Sequence, residues 1–327
     1  MNEPSVAVAV VTYNPGRHLG RCLEAVGAQT FRPRRVVVVD NGSDDGSLAV
    51  LPRTLPGHEL VALGRNTGFA AAANRAIERA GDCEFVALLN PDAFPEPGWL
   101  EALARAAEER PEHTLLASRQ LMAEDPSRLD GAGDVYAVSG LAWRRLFGQP
   151  AGGAALEREE VFSPCAAAAL YRRDAVVAAG GFEERFFCYF EDVDLAFRMR
   201  LRGHRCLYVP DAVVHHVGSA VRGRHSAFAL YHGHRNLVWT WWRNMPGALL
   251  ASHLPHHVAM NGAALLHFAA RGLLGPVLRA KRDALRGLPA VLGQRRRLQA
   301  SRTASTGDLR RVMAGGTAAL GLGRHVA

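Results

Sequence analysis

The chain has 327 residues, 48% hydrophobic and 21% charged, with a formal charge of +8. This globular composition, without internal repeats, gives one elaborated domain or one domain with an appendage. Arg271–Arg311 holds eleven Lys or Arg and two Asp, a local +9 that leaves the remainder at −1. A near-neutral body weighs against nucleic-acid binding and points to a catalytic or binding body with a basic tail.

Met1–Asn14 has no basic stretch ahead of its apolar run and does not read as a secretory signal. Val6–Val11 is a β-branched run that ends in Thr12-Tyr13-Asn14-Pro15-Gly16, a buried strand running into a turn. Arg17–Ala28 has helical spacing. Val36–Val39 is a second strand, stopped by Asp40-Asn41-Gly42-Ser43, and Leu60–Leu63 a third. A small-residue helix over Gly68–Ala80 precedes a fourth strand, Phe85–Leu89, which ends in Asn90-Pro91-Asp92. Pro97–Glu109 is again helical. Strands alternating with helices predict an α/β fold, a mostly parallel sheet with helices on both faces.

Residues 123–162 are polar and Gly/Ala-rich without a period, and are expected to be a connecting, mobile segment. Ala166–Tyr171 reads as a strand, Arg173–Ala179 as a short helix, Glu191–Arg202 as a helix and Cys206–Val209 as a strand stopped by Pro210. After Val217 the sequence becomes rich in His, Arg and Trp, and a boundary is placed near residue 220. Five scattered cysteines with no Cys-x-x-Cys fit buried thiols in a reducing cytosol.

In open α/β sheets, ligands bind beyond the carboxyl ends of the strands. Tyr13-Asn14, Asp40-Asn41 and Asn90-Pro91-Asp92 all fall there. Each alone is ordinary turn chemistry. Together they describe a site. Glu191, Asp192 and Asp194 open a helix behind a run of aromatics, Phe186-Phe187-Cys188-Tyr189-Phe190. Apolar rings beside a carboxylate desolvate it and tune it for proton transfer. The plain alternative is an acidic helix start favoured by the helix dipole. Asp194 reads as such a charge, or as a partner of Arg198 four residues on.

Five segments in this order resemble the inverting family 2 glycosyltransferases of GT-A fold: Val11-Thr12-Tyr13-Asn14; Val39-Asp40-Asn41-Gly42-Ser43; Asn66-Thr67-Gly68-Phe69-Ala70 with Asn74; Leu89-Asn90-Pro91-Asp92; and Gly180-Gly181-Phe182-Glu183 leading into Phe190-Glu191-Asp192-Val193-Asp194-Leu195. The likeness covers about residues 5–245. Its spelling, with Tyr231-His232-Gly233-His234-Arg235-Asn236-Leu237, is most similar to a bacterial rhamnosyltransferase branch that builds cell-surface polysaccharide, typically from dTDP-rhamnose.

The resemblance implies a nucleotide-sugar half over about 1–122, an acceptor half over about 123–220 and a helical, basic extension over 221–327. It implies nucleotide contacts from Thr12, Tyr13, Asn14, Asp40, Asn41, Asn66, Gly68, Asn74 and Asn90. Gly42, Gly46 and Gly68 let backbone approach the ligand. The departing diphosphate needs a cation, and hard Mg²⁺ or Mn²⁺ prefers oxygen ligands. Asp92, the last acid of the family's Asp-x-Asp motif, is its anchor; Asn90 stands at the first acidic position. His216 of His215-His216-Val217-Gly218-Ser219 is a second metal or phosphate contact, with His215 as its rival. Asp192 is the implied base and Glu191 orients acceptor hydroxyls. A UDP-sugar or mannose-nucleotide donor remains open, as does a catalytically silent nucleotide-binding module.

Asn244–Ala270 carries no formal charge with its histidines neutral, but Pro246, Pro255, Asn261 and the histidines make it a poor membrane span. Apolar helices flanked by arginine suit an anionic membrane surface. The expectation is therefore a cytoplasmic protein, peripheral on the inner face of the cytoplasmic membrane, that takes a lipid-linked or growing polysaccharide acceptor. The alternative is that these helices pack on the body or pair two subunits; no oligomeric state follows from the sequence.

Overall fold

In β1 (Val6–Thr12) every residue is buried: Val6, Val8 and Val10 point to one side of the sheet, Ala7, Ala9 and Val11 to the other. A strand covered on both faces reads as a continuous apolar run, as at the centre of a parallel sheet. The structure is a computed structural model and describes residues 4–51, 57–218 and 226–316.

β1 pairs in parallel with β2 (Arg35–Asp40) and β4 (Phe85–Leu89), and β2 with β3 (Glu59–Ala62). Beyond β4 lie β6 (His113–Met122), β11 (Ala168–Arg172) and β12 (Arg205–His216). The order is β10-β12-β6-β11-β4-β1-β2-β3, with β10 covering Glu159–Val161. β11 runs antiparallel between β4 and β6, and β12 rejoins β6 in parallel. α1 (His18–Gly27) and α3 (Trp99–Glu109) cover one face. α2 (Phe69–Arg79) and α5 (Glu191–Leu201) cover the other, where Ala70, Ala73 and Ala76 keep α2 close to the sheet.

The predicted elements up to Glu109 all form, within a residue or two of their expected ends. Residues 123–162 differ. They carry β7 (Leu129–Ala132), β8 (Asp134–Ala137), β9 (Ala142–Arg144) and β10, and pack firmly. The strands are only three or four residues long, too short to show a period. The strand expected to stop at Pro210 continues to His216. Its pairing with β6 slips between Val209 and Val213, and such an irregularity accommodates a proline in a strand. His216 then pairs with Ala93 in β5 (Ala93–Pro95), directly after Asp92.

α4 (Arg173–Ala178) precedes the Gly180-Gly181 turn. After residue 225 come α6 (Ala227–Asn244), α7 (Gly247–Ala269), α8 (Leu274–Ala300) and α9 (Thr306–Arg311). They do not stand apart from the body. Trp241, Trp239 and Val291 share a core with Tyr136, Phe162, Phe186 and Phe197, and β13 (Met313–Ala314) pairs with β8. No helix among the described residues is long and apolar enough to cross a membrane. None of the five cysteines forms a disulfide, and Cys22, Cys83, Cys165 and Cys206 are buried.

Candidate active site

The expected residues gather at the carboxyl edge of the sheet. Thr12 and Asp40 are register partners at the ends of β1 and β2. Asp40 accepts from the backbone N–H groups of Gly42 and Ser43 at 3.2 and 3.1 Å and holds the following turn. Asn14 bridges to that turn: its N–H donates to Ser43 Oγ at 3.0 Å and its side-chain oxygen accepts from Asp44 N–H at 2.9 Å. Thr12 Oγ1 is buried without a hydrogen-bond partner. Tyr13 lies half-buried on the same loop.

Asn41, Asn66 and Gly68 are brought together. Asn41 accepts from the Thr67 N–H and hydroxyl at 2.8 and 2.9 Å and donates to Asn66 Oδ1 at 3.1 Å, which also takes the Gly68 N–H at 3.0 Å. Gly68 is required sterically. Its φ is +89°, and a Cβ there would stand 2.6 Å from the Phe187 carbonyl oxygen. Asn74 faces elsewhere. Its amide accepts from Phe182 N–H at 2.7 Å and donates to the Phe182 carbonyl and Glu184 at 2.9 and 3.0 Å. Those bonds commit it to pinning the Gly181-Phe182 turn.

Asn90, half-buried, and Asp92 follow β4. His216 Nε2 is 3.4 Å from Asp92 Oδ1, and its Nδ1 is 2.7 Å from Asp130 Oδ2 on β7. Arg144 on β9 pairs with Asp130. Burial works to raise the Asp92 carboxyl, but the bond and charge of His216 outweigh it and hold the group below the usual carboxylate range. His215 lies on the other side of the strand, 3.0 Å from Glu96 Oε1. Ser219 falls outside the described residues.

Asp192 sits close to this turn. Its Oδ2 accepts the Ala166 N–H at 3.1 Å, while the neighbouring Ala167 carbonyl accepts the Asn90 N–H at 2.8 Å. Burial raises the Asp192 carboxyl, opposed by the Ala166 and Val193 N–H groups and by the Arg144 charge. Asp134, 7% exposed, is pushed well above the usual range by burial and by the charge of Asp192. Glu191 is buried with Oε2 unpartnered, and burial beside Asp192 pushes its carboxyl well up. Asp194 is fully buried and bonds Arg198 Nε, Arg243 Nη1 and Asn244 Nδ2 at 2.8, 3.3 and 2.8 Å. The spacing-based pairing with Arg198 is therefore present.

Three groups had no signal in the motifs: Asp130, Asp134 and Arg144, all within the segment expected to be mobile. A second set comes from α6. Phe187, Tyr189 and Phe190 all have positive φ, of 67°, 66° and 67°. Such backbone costs on the order of 1–3 kcal/mol per residue and persists only when its surroundings impose it. Asn236 imposes it here: its Nδ2 lies 3.0, 3.0 and 2.7 Å from the Phe186, Cys188 and Tyr189 carbonyls. Arg235 Nη2 adds bonds of 3.0 Å to the Arg185 and Phe186 carbonyls. This explains in physical terms why Arg235-Asn236 belongs with the acidic segment it holds.

The fold, with its polar turns collected at the carboxyl edge of the sheet, is that of a GT-A glycosyltransferase. Residues 7–178 match the model of "Glycosyl transferase family 2", and the chain belongs to that family. It is 34% identical over 291 residues to an N-acetylglucosaminyl-diphospho-decaprenol L-rhamnosyltransferase of Mycobacterium tuberculosis (strain CDC 1551 / Oshkosh), covering 76% of this chain and 91% of that one. Its fold is similar to that of GalNAc-T7, solved with UDP, GalNAc and Mn2+, at a TM-score of 0.63 and 15% identity. That match covers 80% of this chain but 51% of the other, so the chain spans about half of GalNAc-T7. The mannosyltransferase PcManGT of Pyrobaculum calidifontis, in complex with GDP-Man and Mn2+, matches at a TM-score of 0.51 and 21% identity, over 98% of this chain and 81% of that one.

Proposed function

We propose that this glycosyltransferase moves rhamnose, with inversion, from dTDP-rhamnose to a lipid-linked acceptor of a growing cell-surface polysaccharide. The observation that carries this reading is the 34% identity to the mycobacterial rhamnosyltransferase. It covers 76% of the chain and so includes residues outside the family model's span of 7–178. That relative is an L-rhamnosyltransferase named for an N-acetylglucosaminyl-diphospho-decaprenol substrate.

In this reading Thr12, Tyr13, Asn14, Asp40, Asn66, Gly68 and Asn90 form the nucleotide side, and Asn41 shapes it. Asp92 and His216 Nε2 would hold a divalent cation. No group of three or more His, Cys, Asp or Glu among the described residues surrounds one cation position. Two protein ligands, with substrate phosphates and water completing the shell, is a usual arrangement for Mg²⁺ or Mn²⁺. The cation would neutralise charge developing on the departing diphosphate. Asp192 takes the proton of the acceptor hydroxyl, and Glu191, whose carboxyl burial pushes up, orients the acceptor hydroxyls. The donor half is residues 1–122, the acceptor half 123–220 and the extension 221–327; the enzyme works peripherally on the inner face of the cytoplasmic membrane.

Calorimetry with dTDP-rhamnose, UDP-sugars and GDP-mannose, each with and without Mn²⁺, tests the reading. The expected result is metal-dependent binding of dTDP-rhamnose. Tight binding of a UDP-sugar with no dTDP binding overturns the donor, and undiminished turnover in excess EDTA overturns the metal.

A further inference from the structure

α8 carries two apolar edges. Val277, Ala280, Ala284 and Val291 are buried. Beside them Leu278, Leu285 and Leu292 are 48%, 63% and 38% exposed. Their seven-residue spacing is close to two helical turns, so they form one stripe. Arg279 and Arg286 follow two of these leucines directly, and Arg282 and Arg296 lie four residues after Leu278 and Leu292; all four are exposed. The single acid of the helix, Asp283, pairs with Arg282 and Arg286 at 2.9 and 3.3 Å. Arg297 is exposed as well, whereas two cations turn inward: Lys281 Nζ donates to the His234 carbonyl at 3.2 Å and Arg295 Nη1 to the Trp242 carbonyl at 3.1 Å. The outer face thus keeps leucine and arginine together.

We propose that this stripe is the surface by which the enzyme lies on an anionic lipid bilayer, with the leucines at the headgroup–acyl boundary and the arginines on lipid phosphates. The proposal rests on the lipid-linked-acceptor reading above and names the partner surface for it. A second copy fits the stripe poorly. A two-fold dimer would set the arginine rows against each other. A coiled-coil seam also needs a second apolar position, and four residues after the leucines stand Arg282, Pro289 and Arg296. The stripe is also continuous with the site. Arg279, Phe228, Tyr231 and Asp283 line a pocket of about 340 Å³. The Phe228 ring lies 6.0 Å from Phe187, which in turn closes on Gly68. An acceptor rising from the bilayer reaches the donor loops across that aromatic patch.

Trp239 Nε1 donates to the Ala284 carbonyl at 3.0 Å, so truncation would open a core; surface variants of the full chain avoid this. The experiment is sedimentation at low salt with phosphatidylglycerol/phosphatidylcholine vesicles and with phosphatidylcholine alone. Wild type should pellet with the anionic vesicles only. Arg279→Gln/Arg282→Gln/Arg286→Gln should lower partitioning by about a hundredfold, from about fivefold per arginine. Leu278→Ser/Leu285→Ser/Leu292→Ser should lower it comparably, with thermal unfolding and dTDP-rhamnose binding unchanged in both. Wild type that ignores anionic vesicles, or variants that bind them as wild type does, overturns the proposal. So does a dimer in sedimentation velocity that the leucine variant dissolves in a wild type that never pellets. Vesicle binding without dTDP-rhamnose binding sinks the donor reading alone, and the converse sinks this surface alone.

Discussion

His216 places its two ring nitrogens against two carboxylates: Nδ1 is 2.7 Å from Asp130 and Nε2 is 3.4 Å from Asp92. Both carboxylates favour the protonated ring and raise its pKa against burial; with Nδ1–H directed at Asp130, Nε2 is the atom that would exchange its proton for a cation shared with Asp92. A carboxylate behind a histidine in this way fixes its tautomer and ring orientation. Arg144 in turn anchors Asp130.

Asp130→Asn should therefore weaken Mn²⁺ binding by about 10- to 100-fold, the usual cost of removing such a supporting group. Titration of Mn²⁺ followed by its paramagnetic resonance reads this without turnover. Unchanged Mn²⁺ affinity in a folded Asp130→Asn protein would show that the pair is structural only.

Asp192 and Asp194 are two residues apart and separate by measurement. Asp192→Asn keeps the shape but accepts no proton, so kcat should fall by roughly 10²-fold or more, with donor affinity little changed. Asp194→Asn removes the charge that meets Arg198 and Arg243 inside the core. Breaking a buried pair in this way costs about 3–5 kcal/mol. It should appear in urea unfolding, and near-normal stability of Asp194→Asn would contradict the burial described.

Asn236→Leu retains volume and loses both donors to the Phe186–Tyr189 carbonyls. Buried carbonyls left unpaired cost about 1–3 kcal/mol. The strained loop should relax, and kcat should drop more than donor affinity because Asp192 follows that loop. Gly68→Ala should be worse, since its Cβ meets backbone at 2.6 Å. A fully active, fully stable Gly68→Ala protein would refute the close approach of the two loops.

His234 and His257 are held neutral mainly by burial, at about 3 and about 4. Their ordinary value is about 6.5. Between these values the unfolded chain binds the proton and the folded chain does not. Stability therefore rises with pH, is fully present above about 6.5 and is lost as pH falls through about 4. The melting midpoint should fall between pH 7 and 4.5, and His234→Phe should flatten part of that slope. An identical slope in the variant would place its origin elsewhere.

Much of the site is legible in the sequence because its signals are local. Apolar runs that stop at Thr12, Asp40 and Leu89 announce strands and their polar turns. The spacing of Asp194 and Arg198 announces their ion pair. The interval 123–162 misleads for a related reason, since its strands are three or four residues long and show no alternation that could be read.

The sequence by itself determined the parallel sheet, the edge at which ligand-facing turns collect and the acidic start of α5, because each follows from neighbours within a few residues. The tertiary structure decided which histidine faces Asp92, that Asn74 pins a turn, and that Asn236 supports the left-handed loop before Asp192. It also decided which cations of the basic tail turn inward and which reach solvent. Asp130 and His216 lie 86 residues apart, and Asn236 is 50 residues from Phe186. Such contacts exist only once β7 has paired with β6 and α6 has packed on α5. No periodicity encodes them, because the bonds depend on where whole elements come to rest.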